Sequence, residues 1–430
     1  TQQAGRDFEE EWVRKHHPNA IKVEPEWGFA ALRRTLELMA SGVKAIYQPS
    51  LWLLEEKIYG RGDLLIRNNS HGSSLGPFHY RIKEIKQSKE LKDYHAYQAA
   101  AYNLMLGAIQ GYCPNKIEIV LAESAQSIKH EDIIGDVKER LAFWRSICDG
   151  HVRPEPGKPD NTGSPWREYA NKVLSRRRDL TLLPGVGAKT RDSIRKKLGV
   201  AKLDDLCHLG LKKLVSVMRE KQGTSLYYHA LAYKLKQPVL PNGTKLKIPR
   251  AERQLYFDFE TSGDHPTEPP HVYLIGLWDK EKDKFVYFLA RGAKEEERIF
   301  HEFLDYVGNP VDAKLYHWTD FEIGQMKGVA LRHRSLAKRI HALIESCLDL
   351  KEAIKRSVYI PVPTYSIKKI APFLGFKWRH DDVDAMTSMV LYWEYLENPK
   401  SKSIQKVIDY NEDDCQAMVY TDNKLQELMK

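Results

Sequence analysis

The stretch Leu255 to Gly263, LYFDFETSG, constrains this chain most. Leu255, Tyr256, Phe257 and Phe259 favour a pleated, half-buried surface and Thr-Ser-Gly ends it, so the pattern predicts a β-strand. Side chains alternate across a strand, which puts Asp258 and Glu260 on one face and Phe257 and Phe259 on the other. Two carboxylates side by side in an apolar strand repel each other and lose hydration. A divalent cation between them removes both costs. A lone Asp-x-Glu also suits an edge strand with a solvated acidic face, so the reading turns on the acidic motifs that follow.

Beyond that strand, HVYLIGLWDK and KFVYFLA predict an antiparallel pair, KEEERIFHEFLDYV a helix and AKLYHW a further strand. TDFEIGQMKG then turns into a helix carrying Glu322, with Asp320 its nearest competitor. VIDYNEDDCQAMVYTDNKLQEL is helical, with Tyr410 and Asp414 spaced i, i+4 on one face. Asp381, Asp382 and Asp384 read as a solvated acidic loop, and Asp349 in CLDLKEA as a cap or packing residue.

Together these motifs resemble the DEDD family of 3′→5′ exonucleases, closest to its YprB-like branch. Asp258-Phe-Glu260 fits the first motif and His317-Trp-Thr-Asp-Phe-Glu322 the second, with Glu where many relatives have Asp. Tyr410-Asn-Glu-Asp-Asp414 fits the third, its Tyr-x-x-x-Asp spacing selecting Asp414 over Asp413. TYSIKKIAPFLGFKWR, between the second and third motifs, also looks like that family. The resemblance spans about residues 252–425 and implies an RNase H-like fold. It also implies that Asp258, Glu260, Glu322 and Asp414 hold two Mg²⁺ or Mn²⁺ ions while Tyr410 orients the attacking water.

The N-terminal part has its own acidic pattern. GRDFEEEWVRK and ALRRTLELMA predict helices; AIYQPSLWLLEEKIYGRGDLLIRN two or three strands; FHYRIKEIKQS a strand; DYHAYQAAAYNLMLGAI a helix; and NKIEIVLAES a strand. Asp63 opens the strand DLLIR, Glu84 and Lys86 share a face of RIKEIK, and Gln98 and Tyr102 share a helix face. An Asp and a Glu suit Mg²⁺, and a neighbouring Lys can polarise water or steady a phosphate. Asp, then Glu-x-Lys, then Gln-x-x-x-Tyr resembles the RecB-like branch of the PD-(D/E)XK nucleases. The resemblance implies a restriction-endonuclease-like α/β domain in which Asp63 and Glu84 are metal ligands, Lys86 is catalytic, and Gln98 and Tyr102 touch nucleic acid. The family's His ligand on the first helix corresponds here to Glu9, with His16 and His17 as alternatives. The five cysteines do not match the iron–sulfur pattern of some members, so no cluster is expected.

Charge singles out the segment between these two. Residues 171–250 carry 19 Lys and Arg against 5 Asp and Glu, a net of +14 in a chain whose total is +9. Such a block meets a polyanion. Residues 151–178, rich in Pro, Gly and polar residues and then cationic in the run SRRRD, overlap its start and read as a linker. Leu183-Pro-Gly-Val-Gly-Ala-Lys-Thr190 resembles a helix-hairpin-helix. That motif implies that Gly185 and Gly187 expose amides to a phosphate, and that Lys189, Arg191, Arg195, Lys196 and Lys197 add sequence-blind contacts. GVGAKT lacks the spacing of a nucleotide-binding P-loop.

The expected organisation is thus three α/β and α parts. These are a RecB-like domain over 1–160, a helix-hairpin-helix connector over 170–240, and an RNase H-like domain over 250–430. The expected activity is Mg²⁺- or Mn²⁺-dependent degradation of DNA, single-stranded or end-exposed, by two centres. The alternatives are an RNA 3′→5′ exonuclease with an inactive N-terminal centre, and a non-catalytic nucleic-acid scaffold. A helicase partner is what the RecB-like resemblance implies. No run of apolar residues reaches membrane-spanning length, the scattered cysteines fit a reducing cytoplasm, and the opening Thr1 points to a natural N-terminus that starts upstream.

Overall fold

The computed structural model describes residues 2–24, 26–163, 165–241, 244–263, 268–380 and 382–429. They form a mixed α/β protein of two compact units, Thr1–Pro154 and Glu155–Lys430. Among the described residues, no helix is long and apolar enough to cross a membrane.

The first unit runs α1 (Gln2–His16), β1 (Ile21–Lys22), α2 (Phe29–Ala40), β2 (Ala45–Tyr47), β3 (Ser50–Leu53), β4 (Ile58–Arg61), β5 (Leu64–Asn68) and β6 (His79–Ile85). It continues with α3 (Asp93–Gln110), β7 (Lys116–Val120), β8 (Ala125–Lys129) and α4 (His130–Cys148). Six strands make one sheet in the order β1-β2-β5-β6-β7-β8, while β3 and β4 pair as a separate hairpin. β5 and β6 are antiparallel, and β7 returns parallel to β6 through the crossover helix α3. Leu65, Tyr80, Ile82, Ile117 and Ile119 pack the core with Ala99, Ala100 and Leu106 of α3. The segment NKIEIVLAES is a strand only to Val120, and β8 and α4 follow it beyond what the sequence pattern predicts. Their polar, exposed faces dilute the periodic signal.

The second unit opens with α5 (Arg167–Arg177), α6 (Ala188–Leu198), α7 (Leu203–Val217) and α8 (Glu220–Leu235). The cationic run expected as linker is therefore the end of a helix: Ala170 and Leu174 are buried, and Leu174 joins a core with Leu183, Ile194, Leu206 and Leu226. Then come β9 (Arg253–Thr261), β10 (Val272–Asp279), β11 (Lys284–Leu289), α9 (Glu296–Val307), β12 (Ala313–His317), α10 (Asp320–Arg332) and α11 (Ala337–Ser346). β13 (Cys347–Asp349), α12 (Leu350–Ser357), α13 (Ile367–Leu374), α14 (Ala385–Glu397) and α15 (Ser403–Leu428) complete it. The sheet order is β11-β10-β9-β12-β13, with β9 central: antiparallel to β10 and parallel to β12. Phe257 and Phe259 fill one face of β9 against Phe300 and Phe303 of α9, as strand alternation requires.

Asp349 caps α12 by accepting the Glu352 backbone N–H at 2.8 Å, and Asp384 caps α14 through Thr387 in the same way. Asp382 pairs with Lys406 at 3.5 Å, whereas Asp381 lies outside the described residues.

Gly276 stands opposite Asp258 in the β9–β10 ladder, and a Cβ there would lie 1.6 Å from Asn411 Oδ1 of α15. The helix reaches the strand only because this side chain is missing. Gly276→Ala should destabilise the second unit by about 1–3 kcal/mol, the usual cost of overpacking, as read from denaturant unfolding. An unchanged midpoint would show that the approach is slack.

Candidate active site

The second unit gathers the acidic residues of its motifs around the centre of its sheet. β9 supplies Asp258 and Glu260, and α15 supplies Asp414 one turn after Tyr410. Asp258, Glu260 and Asp414 each offer a ligand oxygen, and these atoms all lie within 4.8 Å of one another. Among the described residues this is the one set of three or more metal-ligating side chains so grouped.

Each carboxylate is held by a neighbour. Asn411 Nδ2 donates to Asp258 Oδ2 at 2.9 Å, and Ser388 Oγ on α14 donates to Glu260 Oε2 at 2.9 Å. Trp378 Nε1 donates to Asp414 Oδ1 at 2.7 Å, and Lys368 Nζ donates to the same oxygen. Burial, then the charges of Asp414, Glu260 and Glu322, push Asp258 well above the usual carboxylate range. Burial and then Asp414 push Glu260 up to about 8. Burial also raises Asp414, even with Lys368 beside it. Tyr410 is buried next to Asp414; burial first, then the Asp414 charge, raises its hydroxyl, which hydrogen-bonds Asp414. Clustered carboxylate oxygens are the ligands a hard divalent cation prefers, so the donor set fits one.

Glu322 is buried in the first turn of α10, where Thr319 Oγ1 donates to its Oε2 at 3.2 Å; Asp320 is exposed. Its charge reaches Asp258, but it stands outside the three-residue cluster. Asp413 points elsewhere: it accepts from the backbone N–H of Arg379 at 2.7 Å and from its guanidinium at 2.8 Å. That fastens the segment carrying Trp378 to α15. Lys368, Trp378, Ser388 and Asn411 escape the sequence reading. Two of them lie in the stretch TYSIKKIAPFLGFKWR, whose likeness to the exonucleases is its only signal, and Asn411 adjoins Tyr410.

In the first unit, Lys86 Nζ donates to Asp63 Oδ2 at 3.1 Å and to Glu84 Oε2 at 2.8 Å. The Ile85 N–H donates to Asp63 at 2.6 Å, and the Asp63 N–H to Glu84 at 3.1 Å. Glu84 is fully buried; desolvation and then the Asp63 charge raise it to about 8. Desolvation opposes the charged form of Lys86, yet Glu84 and Asp63 outweigh it and hold the ammonium above its ordinary range. Glu9 accepts from Gln48 Nε2 at 3.1 Å and is raised by burial and by Asp63. Glu9, Asp63 and Glu84 thus share a neighbourhood but do not close to within 4.8 Å. His16 bonds back to the Trp12 carbonyl, and burial lowers His17. Gln98 Nε2 donates to Tyr102 at 3.0 Å, and Tyr102 lies over Gly60, where a Cβ would be 2.3 Å from its ring. Burial, then the Glu84 charge, raises Tyr102 to about 12.

The helical segment departs from expectation at two positions. Arg191 is buried on Glu155, Asp179 and Asp192, and Arg195 binds Glu155 at 2.9 Å and Asp179 at 3.0 Å. Both guanidiniums turn inward because Asp179, itself buried, needs counter-charge. Lys189, Lys196 and Lys197 remain at the surface, and Gly185, at φ 77°, and Gly187 have open space around them.

The raised carboxyls set a pH dependence. The folded state keeps protons on Glu260 and Glu84 that the unfolded chain releases near 4.5, so this stabilisation is complete below 4.5 and vanishes as pH rises through about 8. In chelator, the melting temperature should fall between about pH 5 and 8. Glu260→Gln should exceed the wild type at pH 8 by about 2–4 °C, the shift that ~1 kcal/mol gives in a domain of this size. A wild-type profile flat over that range would contradict the electrostatics.

Residues 255–426 match the RNase_H_2 family model, described as RNase_H superfamily. A search of curated proteins finds no match to the chain. The second unit therefore contains an RNase H-like domain, and nucleases of this kind cut phosphodiester bonds with divalent metals.

Proposed function

We propose that this chain is a metal-dependent nuclease that degrades DNA through two centres, with the Asp258–Glu260–Asp414 cluster as a 3′→5′ exonuclease centre of the DEDD, YprB-like kind. The observation that carries the reading is the grouping of those three carboxylates, two buried and one half-buried, within 4.8 Å inside the RNase H-like match. Asp258, Glu260 and Asp414 would hold the ion, with Glu322 at their edge. A divalent cation, Mg²⁺ or Mn²⁺, supplies charge stabilisation and a water of lowered pKa when bound. Asn411, Ser388 and Trp378 fix the carboxylate orientations, and the buried Tyr410 keeps its proton to orient the attacking water. DNA is favoured over RNA by the RecB-like likeness of the first unit and by the helix-hairpin-helix likeness around Gly185 and Gly187, where Lys189 at the start of α6 and Lys196 and Lys197 in its last turn are at the surface. In the first unit Asp63, Glu84 and Lys86 would form the second, PD-(D/E)XK-type centre.

A second reading has one observation in its favour. Lys86 bridges Asp63 and Glu84, and Glu9 does not complete a ligand set with them, which suits a first unit that binds without cutting. Single-stranded DNA and RNA labelled at either end, with Mg²⁺ or Mn²⁺, separate the two. Asp258→Asn should reduce release of mononucleotides from 3′ ends at least about a thousandfold, and Tyr410→Phe about a hundredfold. Glu84→Ala should remove a different set of products and spare these. If Glu84→Ala changes nothing, the N-terminal centre does not cut; if the wild type shortens no substrate, the catalytic reading fails.

The helical segment is tested separately. Lys189→Ala with Lys196→Ala should weaken DNA binding evenly across sequences, and lower the salt slope by about 0.7–0.9 for each phosphate that is no longer neutralised. Arg195→Ala should instead lower the unfolding midpoint. An unaltered slope in the double variant would place DNA on another surface.

A further inference from the structure

We propose that Lys368 is a substrate-contacting residue of the C-terminal centre, its ammonium gripping a phosphate oxygen of the strand being cut. The proposal rests on the nuclease reading and names a contact that neither the acidic motifs nor the cluster itself supplies. Lys368 lies in the first turn of α13, outside the motifs that carry the acidic residues. Its Nζ bonds Asp414 Oδ1 and sits 4.1 Å from the centroid of the Trp378 ring and 4.2 Å from that of Tyr410. An acid and two aromatic faces therefore immobilise a side chain that is ordinarily among the most mobile.

Its exposure shows which way it faces. The Lys368 side chain is 39 % exposed where that of Asp414 is 11 %, so the amine forms the outer edge of the cluster. An ammonium carries three N–H donors, and Asp414 takes one of them. Lys368 and Trp378 share Oδ1, so neither occupies Oδ2. The charge of Lys368 is felt by Asp258, Glu260 and Asp414 alike. A phosphodiester brought to this cluster meets repulsion from each carboxylate that is ionised. A fixed ammonium at their outer edge offsets it and offers hydrogen bonds to the phosphate.

The test measures binding of a short labelled oligothymidylate, with Ca²⁺ in place of the catalytic ion, across a salt series. Lys368→Met should weaken binding about tenfold, the worth of one charge-assisted hydrogen bond. It should also lower the salt slope by about 0.7, the value for one phosphate contact on a single strand. Lys368→Arg should restore both. Mn²⁺ titrated without DNA should bind Lys368→Met at least as tightly as wild type. An unchanged salt slope overturns the proposal. So does a loss of Mn²⁺ binding in Lys368→Met, which would make Lys368 a positioning residue for Asp414. If wild type binds Mn²⁺ but no oligothymidylate, the nuclease reading itself fails and the proposal with it.

Discussion

The crowding of Asp258, Glu260 and Asp414 at the central strand, with Asp414 the strongest charge on the other two, is the constraint around which the second unit is arranged. Glu260 and Asp414 are buried and Asp258 half-buried, and crowded together they would be costly without neighbours that fix them. Asn411, Ser388 and Trp378, from three different segments, hydrogen-bond these acids. Gly276 yields the space for Asn411 to arrive. Arg379, tied to Asp413, Glu412 and the Asp409 carbonyl, keeps the Trp378 segment on α15.

The two units handle buried acid differently. In the first, Lys86 is bonded to both Asp63 and Glu84, and the counter-charge is part of the chain. In the second, Lys368 reaches only Asp414 directly, and Asp258 and Glu260 keep their mutual repulsion. The second arrangement has the greater appetite for an external cation. Removing carboxylate charge should therefore matter more to metal-free stability in the second unit than in the first.

Much of this is legible from residue order. Strand alternation places Phe257 and Phe259 against α9 and leaves Asp258 and Glu260 together, and i, i+4 spacing puts Tyr410 and Asp414 on one face. Glu322 and Asp320 are separable in the structure by burial alone, a property their adjacency conceals. Arg191 and Arg195 mislead for a related reason: a charge count cannot tell an outward cation from one turned onto a buried aspartate such as Asp179. The run ending in Arg177 passes for linker because α5 buries little, Ala170 and Leu174 among an otherwise polar sequence. Lys368, Trp378 and Ser388 lie beyond reach because they meet the acids only through tertiary packing, 128 residues apart in the case of Ser388 and Glu260.

The Trp378 bond to Asp414 has an optical consequence. Excited indole has a much larger dipole than its ground state, so the colour of its emission follows the charge at its N–H. Of the nine tryptophans in the chain, Trp378 has its indole N–H on an acid of the carboxylate cluster. Its fluorescence is therefore a native gauge of that cluster: neutralising Asp414, by a proton or by an ion, changes the field at the ring without any label being attached.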